Sequence, residues 1–361
     1  MRSALSIYWR SLAKGDRNTI PDLLVIMLLS PFSLAYAVVQ RLRAGLYQWG
    51  ILKSKRLPRP VISIGNITVG GTGKTPVAAY IAGLLLEQGY RVAILSRGYG
   101  GELEGQTVVV SDGRTVMLSA RECGDEPFLL ASTVPGLMVV IGTDRHSAGM
   151  LAMQQLSPDI FLLDDGFQHL RLHRDLNILL LDYFRPFGNG WVLPGGLLRE
   201  SAGAAKRADL VIQTRCPEDA LTIAAVPDRP HCGSRHLLGT AIPLAGGEPL
   251  SFDVLHGRKL LAFAGIAEPE AFFEGLRGHG LDLVATIGFP DHAVYDEAAL
   301  REIADRFRIS GADAAITTEK DGVKLNSLSQ ELSGKILLAR LELAIDDPTT
   351  LTAVLRNLLQ K

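Results

Sequence analysis

Short apolar runs alternate with helical patterns along most of the chain after Pro60. The runs are rich in valine, isoleucine and leucine, and amphipathic segments such as 147–155 lie between several of them. This alternation predicts an α/β fold, in which a mostly parallel sheet carries helices on both faces and binds ligands at the carboxyl ends of its strands. We predict strands at 61–64, 92–95, 137–141, 160–163, 178–181 and 210–213.

Two stretches interrupt this pattern. Residues 107–118 predict a small hairpin around Asp112-Gly113. Residues 231–258 are rich in proline and glycine, which indicates a linker, and a second series of apolar runs follows at 260–265, 283–287 and 314–317. We therefore predict an N-terminal segment at 1–59, a larger α/β domain at 60–235, a linker at 236–258 and a smaller α/β domain at 259–361.

The N-terminal segment has a different pattern, since residues 23–39 are almost all apolar. As a helix this run is roughly 25 Å long, a little short of the ~30 Å hydrocarbon core of a bilayer. Asp22 closes one end and Pro31 interrupts the middle. A helix that lies in one leaflet or dips into it is therefore expected, rather than a full transmembrane span.

Basic residues follow this apolar run. No acidic residue lies between Gln40 and Pro60, and Leu46, Tyr47 and Trp49 are interleaved with the positive charges. Such a composition is typical of a segment on an anionic membrane surface. The alternative is a buried hairpin with a solvated basic flank. The basic residues are Arg41, Arg43, Lys53, Lys55, Arg56 and Arg59.

Composition restricts the remaining possibilities. The 361 residues suffice for two domains, and 47% hydrophobic against 21% charged residues indicates a packed globular protein. A net charge of −1 gives no reason to expect nucleic acid as a partner. The three cysteines show no C-x-x-C spacing, so neither a disulfide framework nor a zinc site is indicated, and a reducing, cytoplasmic setting without a cleavable signal is expected.

A glycine-rich loop follows the first predicted strand and precedes a helical pattern at 77–87. Glycines let backbone N–H groups converge on phosphate, and the helix N-terminus adds partial positive charge. Lys74 is expected to reach the β- and γ-phosphates of a bound nucleotide, and the Thr75 hydroxyl to bind Mg²⁺. The loop departs from the usual G-x-x-x-x-G-K-[ST] pattern at Thr68, and a glycine turn without a ligand is the alternative. The predicted nucleotide-binding residues of this loop are Thr68, Val69, Gly70, Gly71, Thr72, Gly73, Lys74 and Thr75.

Carboxylates occur at two further strand or helix ends. Asp164 and Asp165 directly follow a predicted strand, the arrangement of a Walker-B-like metal or loop-positioning carboxylate, although such residues also start turns. Asp125 and Glu126 precede Pro127, a residue typical of a first helical turn. They could supply an acceptor-side base and a Mg²⁺ ligand, or Asp125 could cap the helix.

Three other strings could contribute to a site. The string 96–101 could bring Arg97 or Tyr99 near phosphates, or be a plain glycine turn. Arg199 and Glu200 follow a proline-glycine loop and could clamp a substrate, or form a surface pair. His292 lies in the predicted second domain, where a lone histidine is more often structural than catalytic.

Together these strings resemble the tetraacyldisaccharide 4′-kinases of lipid A biosynthesis. The similarity covers nearly the whole chain, and several strings in this order are specific to that family, whereas the phosphate loop alone is not. The Thr68 departure belongs to the family pattern itself. The strings are TVGGTGKTP, RGYGG, GDEP, DDGFQH, LPGGLLRE, FPDH and TTEKD, after an apolar and basic N-terminus.

The resemblance implies an ATP- and Mg²⁺-dependent P-loop kinase of two α/β domains at the cytoplasmic face of the bacterial inner membrane. Its acceptor is a lipid A precursor disaccharide 1-phosphate, phosphorylated on the 4′-hydroxyl. By position, Asp125 is the base, with His292 orienting it or relaying for it, and Glu126 is a metal ligand. The resemblance also assigns Lys74 to catalysis and Asp164, Asp165 and Tyr99 to the nucleotide site. It assigns Arg199, Glu200 and His169 to the substrate, with Arg199 contacting either phosphate or the disaccharide, and places Lys320 only near the cleft.

A membrane-bound nucleotide switch or partition-type ATPase, which transfers phosphate to no lipid, is the competing hypothesis. The phosphate loop alone does not exclude it, but such a hydrolase has no need of Asp125 and His292. A soluble small-molecule kinase is a third hypothesis, and it predicts that residues 1–59 are dispensable.

Overall fold

The computed structural model describes residues 4–17, 19–218, 225–325 and 334–360. Its strands form one continuous sheet of 13 strands. In chain order they are β1 (Val61–Asn66), β2 (Val92–Ser96), β3 (Val108–Asp112), β4 (Met138–Ile141), β5 (Ile160–Asp164), β6 (Leu176–Asp182), β7 (Leu210–Thr214), β8 (His231–Pro243), β9 (Leu250–Ser251), β10 (Lys259–Ala264), β11 (Asp282–Gly288), β12 (Ala314–Thr318) and β13 (Ile336–Ile345).

Helices cover this sheet and form the N-terminal segment. Two short 3₁₀ turns occur as well, at Ala202–Arg207 and Phe252–Leu255. The helices of the described residues are α1 (Ala4–Lys14), α2 (Ile20–Gln48), α3 (Lys74–Glu87), α4 (Ala120–Cys123), α5 (Asp125–Thr133), α6 (Arg145–Gln155), α7 (Pro269–Gly278), α8 (Glu297–Ser310), α9 (Glu319–Gly322) and α10 (Pro348–Leu359).

The first half of the sheet has the order β7-β6-β1-β5-β2-β4-β3, with β5 at its centre and β1 next to it. All of these strands pair in parallel except β3, which pairs antiparallel with β4. Every residue of β1, β2 and β5 is buried, because α3 and α6 cover opposite faces. The predicted parallel sheet with helices on both faces is confirmed, and its central strands carry continuous apolar runs for this reason.

Strand β8 joins the two halves of the sheet. Its first residues pair in parallel with β7, and the rest pairs antiparallel with β13 from Ser234 to Pro243. The predicted linker at 236–258 therefore begins inside a strand and continues through β9 and a 3₁₀ turn. Proline and glycine made this stretch resemble coil, but its first part, up to Pro243, is paired with a strand about a hundred residues further along the chain.

The second half of the sheet, β11-β10-β12-β13, is also parallel. Helices α7 and α8 pack on its opposite faces through Phe273 and Ile303. The last helix, α10, returns to the first half, where Leu351 and Leu355 pack in the same cluster as Ile81 of α3.

The predicted hairpin at 107–118 is present in a short form. β3 is an edge strand, and the side chain of Asp112 accepts hydrogen bonds from the backbone N–H groups of Arg114 and Thr115, which closes the turn. Only a single bridge, between Ser111 and Val116, pairs the returning chain.

Helix α2 lies along the body with one apolar face exposed. It continues through Pro31, and by length and composition it could cross a membrane. On its inner side Asp22 accepts a hydrogen bond from Tyr8, and the Ser33 hydroxyl accepts one from the backbone N–H of Gly195 at 2.9 Å. The exposed face, called the α2 stripe below, consists of Ile20, Leu23, Leu24, Met27, Leu28, Phe32, Leu34, Val38, Val39 and Leu42.

Candidate active site

The glycine-rich loop connects β1 to α3, as predicted. Gly73 precedes α3 with φ 73°, and Gly70 has φ 123°, conformations that side chains with a Cβ rarely adopt. A Cβ on Gly73 would lie 2.7 Å from Nε2 of His236, so this position also lacks space. The free N–H groups at the start of α3 thus lie next to the loop, as an anion site requires.

Thr68 occupies an extended part of this loop. It forms an antiparallel bridge with Leu198, and the backbone N–H of Val69 donates to the carbonyl of Leu197 at 2.8 Å. The N–H of Arg199 donates to the carbonyl of Ile67 at 2.7 Å. Because Thr68 has no positive φ, this position does not need glycine, which accounts for the departure from the usual pattern.

Asp164 and Asp165 lie at the end of β5, next to β1. Burial, and then the charges of Glu126 and Asp165, raise the pKa of Asp164 to about 7. The Asp165 carboxylate lies 3.8 Å from Nζ of Lys74 and 2.8 Å from Arg199. Burial acts to raise the pKa of Asp165, but Lys74 and Arg199 outweigh it and the pKa is lowered. Asp165 therefore holds both cations beside the phosphate loop.

Asp125 and His292 come together from the two halves of the chain. Asp125 begins α5, and its Oδ2 lies 3.3 Å from Nδ1 of His292, which adopts φ 57°. Tyr99 packs edge-on to His292 with ring centroids 6.0 Å apart. A histidine in the left-handed region is strained, and strain of this kind is concentrated at functional sites.

The carboxylate of Glu126 faces the same group of residues. Nζ of Lys320 lies 3.4 Å from Oε1 of Glu126 and 3.3 Å from Nε2 of His292. The structure therefore brings Lys320, Glu126, His292 and Asp125 into one cluster at the cleft, to which it also adds Lys324.

Comparison with known proteins identifies the family. The family model described as tetraacyldisaccharide-1-P 4′-kinase matches residues 25–360. The tetraacyldisaccharide 4′-kinase of Pelobacter propionicus is 64% identical over 361 residues, 100% of both chains. That of Geobacter metallireducens is 54% identical over 340 residues, 94% of this chain and 99% of its own. The chain belongs to the tetraacyldisaccharide 4′-kinase family.

A solved structure of a 4′-kinase has the same fold. LpxK from Aquifex aeolicus, crystallised in complex with ATP, is 33% identical and superimposes with a TM-score of 0.78, covering 92% of this chain and 99% of its own. The resemblance inferred from the motifs is thereby confirmed, as is the α/β fold class. The protein is an enzyme, a kinase with an alcohol group as phosphate acceptor.

The predicted substrate residues of this 4′-kinase lie in different surroundings. Arg199 is half-buried beside Asp165, with its guanidinium at the phosphate loop. Burial, and then the charge of Arg145, lower the pKa of His169 to about 4, so its imidazole is neutral. Glu200 is 4% exposed, and Arg207 donates to both of its carboxylate oxygens at 2.8 and 2.9 Å. Glu200 thus forms a buried ion pair, and a direct contact with substrate requires that pair to open.

Two cations of this site were not found from the sequence. Arg145 is 6% exposed and donates a hydrogen bond to the carbonyl of Gly142 at 2.6 Å. Its positive charge acts to lower the pKa of both Asp164 and Asp165. Lys324 lies 3.5 Å from Asp125. The sequence contained a signal for Lys324 only, since Lys324 lies one helical turn after Lys320 of the TTEKD string.

Proposed function

We propose that this 4′-kinase transfers the γ-phosphoryl group of ATP to the 4′-hydroxyl of a tetraacyldisaccharide 1-phosphate, which yields lipid IVA in lipid A biosynthesis. The observation that carries the proposal is the contact between Asp125 of the first half and His292 of the second, whose atoms Oδ2 and Nδ1 lie 3.3 Å apart. Phosphoryl transfer to an alcohol needs a general base for the acceptor hydroxyl in addition to a nucleotide site.

The nucleotide site is formed by the loop from Thr68 to Thr75. The glycines present backbone N–H groups, and Lys74 contributes a charge that Asp165 holds in place. The relative from Aquifex aeolicus binds ATP with the same fold. We infer that binding of ATP draws Lys74 and Arg199 from Asp165 toward the phosphates, because three phosphates offer a larger negative charge than one carboxylate.

A Mg²⁺ ion fits this donor set. One oxygen of Asp164, Oδ1, is buried without a hydrogen-bond partner. The carboxylate of Glu126 lies near enough for its charge to raise the pKa of Asp164. Among the described residues no group of three or more His, Cys, Asp or Glu side chains forms a dedicated cage. Mg²⁺ in kinases is held by one or two carboxylates together with phosphate oxygens and water. Glu126 and the Thr75 hydroxyl are the proposed ligands, and the bound ion would neutralise charge on the phosphates.

Asp125 is the proposed base. Burial acts to raise its pKa, but the hydrogen bond from His292 and the charges of Lys324, His292 and Lys320 lower it overall. The carboxylate is therefore ionised at neutral pH and accepts a hydrogen bond from the sugar hydroxyl, whose proton it takes as the new P–O bond forms. His292 orients the carboxylate through Nδ1. This arrangement favours the kinase over an ATPase switch, which activates water and needs no second-half histidine.

The membrane surface is the proposed location. The α2 stripe is exposed, and only 11% of the most apolar part of α2 is buried, so α2 is not a core helix. Ser33 and Asp22 hold its inner side on the protein, which favours a helix lying on the membrane over one that spans it. With the basic residues that follow, we place the enzyme on the cytoplasmic face of the inner membrane as a peripheral or monotopic protein. No nucleic acid partner is proposed.

The two halves are proposed as domains that close over ATP. The predicted boundaries were 60–235 for the P-loop kinase domain and 259–361 for the smaller domain. The glycine-containing chain near 231–258 is the proposed hinge, of which residues up to Pro243 belong to β8. Closure would exclude water and favour transfer over hydrolysis.

Replacement of the proposed base tests this assignment. Asp125→Ala should lower kcat at least about 100-fold, while the Kd for ATP changes less than about threefold, because the base acts in the transition state only. Radiolabel transfer and equilibrium nucleotide binding measure the two quantities. Equal losses of both would assign Asp125 to the nucleotide site instead.

A further inference from the structure

The loop at 265–268 connects β10 to α7 and lies against the phosphate loop. A Cβ on Gly71 would lie 4.0 Å from Cβ of Ala267, so the Ala267 side chain lies next to the glycines of the phosphate loop. At the other end, Gly265 donates its backbone N–H to Oδ2 of the buried Asp321 at 2.9 Å. This loop of the second half therefore forms a wall beside the proposed nucleotide site.

Glu268, the last residue of this loop, does not cap the helix that follows it. A polar side chain before the first turn of a helix often accepts hydrogen bonds from the free N–H groups of that turn. Within the described chain, the Glu268 side chain makes no capping hydrogen bond to α7, which begins at Pro269. Its carboxylate instead contacts two cations outside the second half, Lys14 and Arg215.

Arg215 connects Glu268 to the first half. It follows β7 with φ 63°, and its Nε donates to Oδ2 of Asp182, at the end of β6, at 2.6 Å. Its Nη1 donates to Oε2 of Glu268 at 3.2 Å. The preceding residue, Thr214, lies at the phosphate loop, because a Cβ on Gly73 would lie 4.0 Å from Cβ of Thr214. A left-handed arginine is strained, and strain of this kind is concentrated at functional sites.

Lys14 connects the same carboxylate to the N-terminal segment. It ends α1, and its ammonium pairs with Oε1 of Glu268. Arg10, one turn earlier, donates to the carbonyl of Ala267 at 3.4 Å. Burial acts to raise the pKa of Glu268, but the hydrogen bond from Lys14 and the charges of Lys14 and Arg215 outweigh it and lower the pKa. The carboxylate is therefore ionised at neutral pH and attracts both cations.

The arrangement of these charges differs from an ordinary surface pair. Isolated ion pairs at a protein surface contribute little to stability, because solvent screens them. Here one carboxylate joins three parts of the fold, since its partners belong to α1 and to the end of β7. A loop that is already held in its ligand-bound position loses less freedom when the ligand binds. The effect of Glu268 is therefore expected in the affinity for nucleotide.

We propose that Glu268 is a positioning residue for the nucleotide: through Lys14 and Arg215 it fixes the 265–268 loop against the phosphate loop and so preforms the site for ATP. This inference rests on the proposed placement of ATP in the loop from Thr68 to Thr75. It gives α1 a role in nucleotide binding in addition to the proposed membrane attachment of the N-terminal segment.

The first test measures the Kd for ATP of Glu268→Gln by equilibrium nucleotide binding and its kcat by radiolabel transfer at saturating ATP. The Kd should rise at least about fivefold while kcat stays within threefold of the wild type, because the loop is held equally in the ground state and the transition state. A smaller rise in Kd would overturn the proposal.

Asp16→Asn is the matched control for this test. Asp16 also ties the end of α1 to the body through an ion pair, with Arg185, but this pair reaches the first half alone. The Kd for ATP of Asp16→Asn should stay within twofold of the wild type. A rise equal to that of Glu268→Gln would contradict the proposal, because it would show that any loosening of α1 has the same effect.

The second test uses the cation. Lys14→Met should raise the Kd for ATP at least about threefold, and Lys14→Arg should restore it to within twofold of the wild type, because a guanidinium can also pair with a carboxylate. In a Glu268→Gln background, Lys14→Met should add less than twofold, since the two residues act through one interaction. Equal effects in both backgrounds would contradict the proposal.

Thermal unfolding of each variant identifies any loss that is due to misfolding. If Glu268→Gln does not fold, the Lys14 variants decide. A rise in Kd for Lys14→Met that Lys14→Arg reverses supports the proposal, and no rise, or a rise that arginine does not reverse, contradicts it.

Lys74→Ala separates failure of this inference from failure of the proposed nucleotide site. If Lys74→Ala leaves transfer within threefold of the wild type, the phosphate loop does not hold the nucleotide, and the role of Glu268 fails with it. If Lys74→Ala is strongly impaired and Glu268→Gln binds ATP as the wild type does, the nucleotide site stands and only the positioning role is wrong.

Discussion

At Asp125 opposing effects act on one half-buried carboxylate. Burial favours the protonated form, while the N–H of His292 and the ammonium groups of Lys324 and Lys320 favour the ionised form, and the pKa is lowered overall. The neighbouring Asp164 shows the opposite outcome, because burial and the charge of Glu126 dominate there. Two carboxylates of the same site thus have different protonation preferences.

His292 is predicted to be the orienting partner of Asp125. Its replacement by alanine should lower kcat about tenfold or more and change the Kd for ATP little, because the imidazole contacts the base and not the phosphate loop. His256→Ala is the control, an exposed histidine of the same half whose Nε2 contacts the carbonyl of His279. Turnover of His292→Ala within about threefold of the wild type would show that the pair is not catalytic.

His236 predicts a pH dependence of stability. Desolvation, and then the charge of Arg215, lower its pKa to about 4, whereas an unfolded histidine titrates near 6.5. Between these values the unfolded state binds more protons, so this contribution to stability is complete above about pH 6.5 and is lost as the pH falls toward 4. The loss is about 3 kcal/mol at most.

The His236→Asn variant should therefore show a weaker fall in unfolding free energy between pH 7 and pH 4 than the wild type. Denaturant unfolding monitored by circular dichroism at both pH values measures the difference. Parallel pH profiles for the two proteins would mean that His236 is not buried in its neutral form.

Among the helices and strands, the sequence was sufficient to predict those elements whose hydrophobic pattern is local. Strands β1, β2, β5, β6 and β7 were predicted to within about two residues at each end, because continuous apolar runs mark strands buried on both faces. The strand, loop and helix order around Lys74 was predicted for the same reason. These features depend on neighbours in the chain.

Features that depend on distant partners were not predicted. β8 was interpreted as linker because its pairing with β13 joins residues about a hundred positions apart. The buried pair of Glu200 with Arg207 and the contact of Lys324 with Asp125 follow from packing between elements, which no periodicity reveals. The role of Asp125 and His292 came from the family resemblance, whereas their proximity comes from the structure.

The α2 stripe is predicted to bind the membrane, and substitutions in it should weaken this binding without destabilising the folded protein. Replacement of Leu24 and Leu28 by asparagine should weaken binding to anionic vesicles at least about tenfold, since each leucine loses roughly 1.5–3 kcal/mol of apolar burial in the membrane. Both side chains are exposed in the protein, so its unfolding temperature should hardly change. Val254→Asn with Ile309→Asn, exposed apolar positions of the second half, is the control for vesicle sedimentation. Unchanged sedimentation of the Leu24/Leu28 variant would exclude the stripe as the membrane face.

At the scale of the molecule, the N-terminal segment is part of the folded body. Leu12 and Ala13 are buried, and the indole N–H of Trp9 donates to the carbonyl of Pro194 at 2.8 Å. Lys14 pairs with Glu268, which also pairs with Arg215 at 3.2 Å. Helix α1 therefore contacts both the segment before Arg199 and the second half of the chain.

Removal of residues 1–59 should accordingly impair more than membrane binding. We expect a lower unfolding temperature and a loss of transfer activity even with detergent-dispersed acceptor, because the deletion exposes apolar surface around Val192 and Leu198. Thermal unfolding and transfer assays on the truncated protein test this. A soluble, fully active truncated enzyme would instead favour a small-molecule kinase.

We expect this protein to phosphorylate a lipid A precursor. The most direct measurement mixes the purified protein, γ-labelled ATP, Mg²⁺ and detergent-dispersed tetraacyldisaccharide 1-phosphate, and follows the label by thin-layer chromatography with Lys74→Ala as control. We predict label in the lipid with the wild type and its loss in the control. Release of free phosphate without labelled lipid would contradict the account and favour a nucleotide switch.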